Sequence, residues 1–307
     1  MLKNKLVILG LIMVLAIGLV GCQGNTPEQG ADQGDSLKVG FAVSTQNNPF
    51  FVDLKEGAEK KAKELGIKLL VVDAQDDAAK QLSSIEDLIM KQVDVLIVNP
   101  VDGDAVISAI ESANEANIPV ITVDRGANGG KVISHIASDN VAGGEMAAEF
   151  VAKDLDKAGK VVELEGIPGT SAARDRGKGF NQGVDKYENI EVIASQAADF
   201  NRAKGMTVME NILQANRDID AVFAHNDSMA LGAIQAIEAA GRLDEITVVG
   251  FDAIDDARKA VKEGKLAATI AQKPGLMGEM AVETAKKVAN DKEVKEFTPV
   301  PLKLIKE

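Results

Sequence analysis

The sequence has no tryptophan, one tyrosine, one cysteine and two histidines in 307 residues. A lone cysteine, Cys22, excludes a disulfide within the chain. A zinc site takes three or four ligands at workable spacing, and His135, His225 and Cys22 form no such cluster. Positive charge is scarce too: 34 Lys and Arg stand against 47 Asp and Glu, a net charge of -13. An acidic body repels nucleic acid and anionic lipid, so no nucleic-acid partner is expected and the charge serves solubility. Catalytic signatures are missing as well. Ser171 lies in Gly-Thr-Ser-Ala-Ala and not in a G-x-S-x-G elbow. Gly177-Lys178-Gly179 with Gly183 is one residue too long for G-x-G-x-x-G, and no strand directly precedes it. The acidic loop Asp73, Gln75, Asp76, Asp77 lacks the glycine and distal glutamate of a calcium loop and reads as a solvated turn. With no P-loop and no nucleophile beside a base, the sequence is expected to bind rather than catalyse, without cofactor or metal.

The N-terminus sets the compartment. Lys3 and Lys5 precede an uncharged aliphatic run from Leu6 to Val20, which stops at Gly21-Cys22. That three-part form is a secretory signal, and the run is short of the about 20 apolar residues a spanning helix needs. The alternative is a short membrane anchor kept in the mature protein. Leu19-Val20-Gly21-Cys22 resembles a bacterial lipobox, which implies a signal peptide over 1–21, cleavage before Cys22 and diacylglycerol on its sulfur. Cleavage would remove Lys3 and Lys5 and take the net charge from -13 to -15. Residues 22–36, polar and glycine-rich, read as a flexible tether on the outer face of a membrane.

From Leu37 onward, β-type apolar runs alternate with helical stretches such as Phe51–Leu65 and Val141–Asp156. The runs are 37–43, 67–72, 94–98, 119–123 and 132–137, then 160–165, 190–195, 220–224, 246–251 and 266–271. Near-continuous apolar strands separated by helices mean parallel sheets covered on both faces. The chain left after the leader exceeds a usual single core, and the two series predict two similar α/β lobes.

In such sheets ligands bind beyond the carboxyl ends of the strands. The residues there are Asn48, Phe50 and Phe51; Asp124 and Arg125; Arg176; Phe200; Asn226; Asp252; and Gln272. Amides, carboxylates and guanidiniums match sugar hydroxyls, and phenyl rings match the C–H faces. Each has a plainer reading. Phe50 and Phe51 could pack at a helix start, Asp124-Arg125 could be a structural ion pair, and Asn226 and Asp252 could cap helices. Their joint placement at strand ends in both halves favours a cleft.

At these residues the sequence resembles the ribose-binding family of type I periplasmic binding proteins. The matching segments include STQNNPFF (44–51), NPVDGDAV (99–106), ANIPVITVDR (116–125), SHIASDN (134–140) and GTSAARDRG (169–177). They continue with ADF (198–200), NDSMALGA (226–233), VVGFD (248–252) and GKLAATIAQ (264–272). The resemblance implies two doubly wound lobes joined by three crossings near 138–140, 271–274 and 299–301. The N-terminal lobe would take 37–138 plus 273–300, the C-terminal lobe 139–272 plus 301–307. It implies capture of D-ribose by a monomer that delivers it to the permease of an ABC importer. Polar ribose contacts would fall on Asn48, Asp124, Arg125, Arg176, Asn226, Asp252 and Gln272, with ring contacts on Phe50, Phe51 and Phe200. Arg174 is outside that set, and His225 stands where glutamine is expected. Absence of tryptophan counts against glucose and galactose. Competing expectations are allose or a furanosyl signalling molecule as ligand, a repressor of the lactose-repressor class, which would need a basic headpiece, and a sugar-modifying enzyme.

Overall fold

The computed structural model describes residues 36–306. The expected signal segment, Cys22 and the tether up to residue 35 lie outside the described residues. Among the described residues no helix is long and apolar enough to cross a membrane.

The first series folds as β1 (Lys38–Val43), α1 (Pro49–Leu65), β2 (Lys68–Asp73), α2 (Ala78–Met90), β3 (Val95–Val98), α3 (Ile107–Glu115), β4 (Val120–Val123) and β5 (Val132–Ser138). The second runs α4 (Asn140–Asp154), β6 (Ala158–Glu165), α5 (Ser171–Val184), β7 (Asn189–Ala197), α6 (Arg202–Ala215), β8 (Ala221–Ala224), α7 (Asp227–Ala239), β9 (Thr247–Asp252), α8 (Asp255–Lys262) and β10 (Ala268–Ala271). The chain closes with α9 (Pro274–Val288), β11 (Phe297–Val300) and β12 (Lys303–Ile305). The strand runs read from the sequence all form strands, with ends within two residues of those expected.

Two six-stranded sheets result, ordered β11-β5-β4-β3-β1-β2 and β12-β10-β9-β8-β6-β7. Among the described residues only β12 is antiparallel, against β10. The fold is therefore two doubly wound parallel-sheet α/β lobes. The chain passes between sheets after Ser138, after Ala271 and after Val300, which makes three crossings. Strands β11 and β12 were not read from the sequence: they are edge strands of four and three residues, and Pro299 interrupts the first.

Alternation along β1 shows why both faces are covered. Val39, Phe41 and Val43 point into the core shared with α1 and α9, while Ala42 points into the core under α2 and α3. The second sheet repeats this, with Val162 and Leu164 in the core beside α7, and Val161 and Phe223 in the core beside α4 and α5. Full burial of a side chain such as Phe223 contributes about 1.5–3 kcal/mol. Helices α4 and α5 come into backbone contact through glycine: a Cβ on Gly179 would lie 2.0 Å from the Val141 carbonyl oxygen, and one on Gly144 would lie 2.2 Å from that of Arg176. Gly179 and Gly183 thus serve helix packing, which fixes the helix that carries Arg176.

Candidate functional site

Each sheet reverses its strand order at β1 or β6, and the carboxyl ends of both sheets face one small cavity. All ten residues singled out at strand ends line it, together with Ala172.

From the first lobe, Asn48 caps α1, its Oδ1 accepting from the Phe50 N–H at 3.0 Å. Pro49 at the first helical position then starts α1 two residues before the apolar pattern does. The cap uses the amide oxygen and leaves Nδ2 as a donor. Phe50 and Phe51 meet edge to face at 5.1 Å and also line the cavity, so packing and lining are both true of them. Arg125 lies over Phe51 at 4.9 Å and reaches across to Phe200 at 5.5 Å. Its pairing with Asp124 is loose, at 4.0 Å.

From the second lobe, Arg176 is held on three sides. Nε donates to Asn140 Oδ1 at 2.8 Å, Nη1 donates to the His225 carbonyl at 2.7 Å, and the guanidinium sits 3.9 Å above the Phe251 ring. Asn226 caps α7 through Oδ1 and donates Nδ2 to the Phe200 carbonyl at 3.3 Å. Asp252 caps nothing: α8 starts from Ile254 with no side-chain cap. Instead its Oδ1 accepts from Gln272 Nε2 at 2.7 Å. Gln272 Oε1 is then one of two buried side-chain atoms without a partner among the described residues, the other being Ser138 Oγ. Three of the site residues hold positive φ, Phe200 at 55°, Asp124 at 62° and Asp252 at 111°. Such non-glycine conformations cost roughly 1–3 kcal/mol each and cluster where strand ends must aim side chains.

Charge balances on the walls, with two guanidiniums and two carboxylates, all nearly buried. Burial raises the Asp124 carboxyl, against Arg125, Arg176 and the Asn99 amide. Burial also pushes Asp252 up to about 7, against Arg176 and Gln272. Both arginines are lowered by burial, with the facing aspartates opposing. A guanidinium has five N–H donors. Among the described residues the protein engages one of Arg125's and two of Arg176's. The site therefore presents donors from the arginines, acceptors from Asp124, Asp252 and Gln272, and ring faces from three phenylalanines. That combination suits a small polyhydroxylated molecule with C–H faces.

Beyond this ring, the lobes meet directly. The Gly126 N–H donates to Ser171 Oγ at 2.8 Å, and the Gly103 N–H donates to the Gly169 carbonyl at 3.2 Å. Arg174 is exposed and pairs with Asp175, outside the cavity. Sequence reasoning missed Asn140, Phe251 and Ala172. Asn140 follows β5 and was within reach of the same strand-end test. Phe251 was hidden as the last apolar residue of its strand, and Ala172 contributes only space, which no residue type announces.

The periplasmic binding protein domain family matches residues 39–293. The ribose import binding protein of Bacillus subtilis strain 168 is 50% identical over 298 residues, covering 95% of this chain and 96% of its own. That of Escherichia coli K12 is 53% identical over 267 residues, covering 87% and 90%. An ABC transporter solute-binding protein from Actinobacillus succinogenes 130Z, solved with bound D-allose, superimposes with a TM-score of 0.83 at 34% identity, covering 88% of this chain and 97% of its own.

Proposed function

Because the chain belongs to the periplasmic binding protein family, we propose that it captures D-ribose between its lobes and hands it to an ABC-type importer. It is an exported binding protein, not an enzyme. The observation that carries the sugar reading is the cavity wall: Gln272 Oε1, buried without a partner among the described residues, stands among arginine donors, two aspartates and phenyl rings from both lobes.

In this reading Asn48, Asp124 and Arg125 bind hydroxyls from one wall, and Arg176, Asn226, Asp252 and Gln272 from the other. Phe50, Phe51 and Phe200 cover the C–H faces. The lobes comprise 37–138 with 273–300, and 139–272 with 301–307, so Gln272 sits at a crossing. Sugar favours the closed arrangement because only there do both walls reach it. Closure removes the polar groups of both partners from water, so an ill-matched sugar leaves buried groups unpaired. The monomer is tethered by residues 22–36 and a lipid on Cys22, which keeps it beside the permease.

Equilibrium dialysis of labelled D-ribose, with allose, xylose and galactose as competitors, tests the ligand. Retention of ribose that galactose does not displace supports it. Equal displacement by all sugars, or displacement by allose at lower concentration than ribose, transfers the site to another ligand.

A further inference from the structure

His225 does not line the sugar cavity; it faces a second crevice behind the wall, beside Glu165, Gly166 and Lys178. Its ring is buried, with only 1% exposed, and both nitrogens are engaged. The Gly166 N–H donates to Nδ1 at 3.2 Å. A backbone N–H can only donate, so Nδ1 carries the lone pair and Nε2 the proton, which goes to Glu163 Oε1 at 2.8 Å. Glu163 is itself held by Asn181, whose Nδ2 donates to Oε2 at 3.1 Å.

Two residues of the sugar wall rest on this arrangement. Arg176 donates to the backbone carbonyl of His225 itself. Phe200 lies against Gly166 so closely that a Cβ there would fall 2.0 Å from the ring Cζ. The peptide that His225 holds is therefore the floor under Phe200. We infer that His225 is a positioning residue for sugar binding, setting Phe200 through the Gly166 N–H and Arg176 through its own carbonyl. This rests on the sugar-binding reading above.

A ring that merely filled space beside Phe223 would be replaceable by any side chain of similar bulk. A positioning ring needs an acceptor and a donor together. Glutamine supplies both; leucine supplies bulk alone.

The test titrates D-ribose into the wild type, His225→Gln and His225→Leu, with melting curves recorded without sugar. At neutral pH His225→Gln is expected to bind within about threefold of wild type, and His225→Leu at least about tenfold more weakly while still melting cooperatively. A folded His225→Leu with wild-type affinity, or a His225→Gln that binds as weakly as His225→Leu, overturns the inference. Should His225→Leu not fold, His225→Met takes its place, with the same expected loss and the same contrary result. Wild type that binds no ribose strikes the ligand reading instead, and a crystal structure of His225→Leu or His225→Gln then decides: Phe200 and Arg176 unmoved in His225→Leu, or displaced in His225→Gln, would overturn the role of His225.

Discussion

Arg176 Nη1 and Asp252 Oδ1 stand 3.7 Å apart on the inner wall of the cavity, with both side chains nearly buried. Gln272 donates to the same carboxylate oxygen from the chain crossing at 2.7 Å. One carboxylate thus balances a guanidinium of the second lobe and anchors a residue of the segment that leads back to the first.

Neutralising that carboxylate should leave Arg176 buried without its countercharge. Truncating one partner of a buried charge pair costs about 2–5 kcal/mol. Asp252→Asn is therefore expected to weaken ribose binding by roughly thirtyfold or more, read by calorimetric titration. Wild-type affinity in this variant would remove Asp252 from the site.

The same carboxyl makes stability depend on pH. It is raised to about 7 in the folded protein by burial, and titrates at about 4 in the unfolded chain. Between those values the folded state holds more protons, so stability falls as pH rises through that window. Asp124 and Asp227 are raised by burial and act with the same sign. The sugar-free protein should melt higher at about pH 5 than at about pH 7.5, and Asp252→Asn should flatten that slope.

Gly166→Ala offers a change that spares the core. The new Cβ meets the Phe200 ring, the end of a side chain that can swing, rather than backbone. Melting temperature should change little, while ribose affinity falls about tenfold because a ring face has left the site. Unchanged affinity would mean that Phe200 does not touch the sugar.

Ser171 tests closure apart from contact. Its hydroxyl accepts from Gly126 across the cleft and lines no part of the sugar cavity. Ser171→Ala removes one hydrogen bond of the closed state, worth about 1 kcal/mol. Affinity should drop roughly fivefold, and by the same factor for ribose and for a weaker control sugar. A loss confined to one sugar would contradict a pure closure role.

Periodicity and the strand-end rule made the fold and the ring of side chains legible. Asn48, Asp124 and Asn226 follow a strand directly or closely and Asp252 ends one, where a doubly wound sheet must place its ligand. What stayed hidden was pairwise. Nothing in the sequence says that Asn140 orients Arg176, or that Gly166 lies under Phe200, because those contacts join segments tens of residues apart. Strands β11 and β12 were too short to show a period. The plainer readings of single residues also proved compatible with the site: Asn48 and Asn226 cap helices and line the cavity at once. Asp252 does not cap, which leaves its carboxylate to Gln272, Arg176 and a ligand.

The most direct measurement is calorimetric titration of a soluble form starting near Ser36 with D-ribose. One-to-one binding in the micromolar range or tighter, about -8 kcal/mol or better, is the expected result. No heat with D-ribose, from folded protein freed of carried-over ligand, would contradict the assignment of this cavity to ribose.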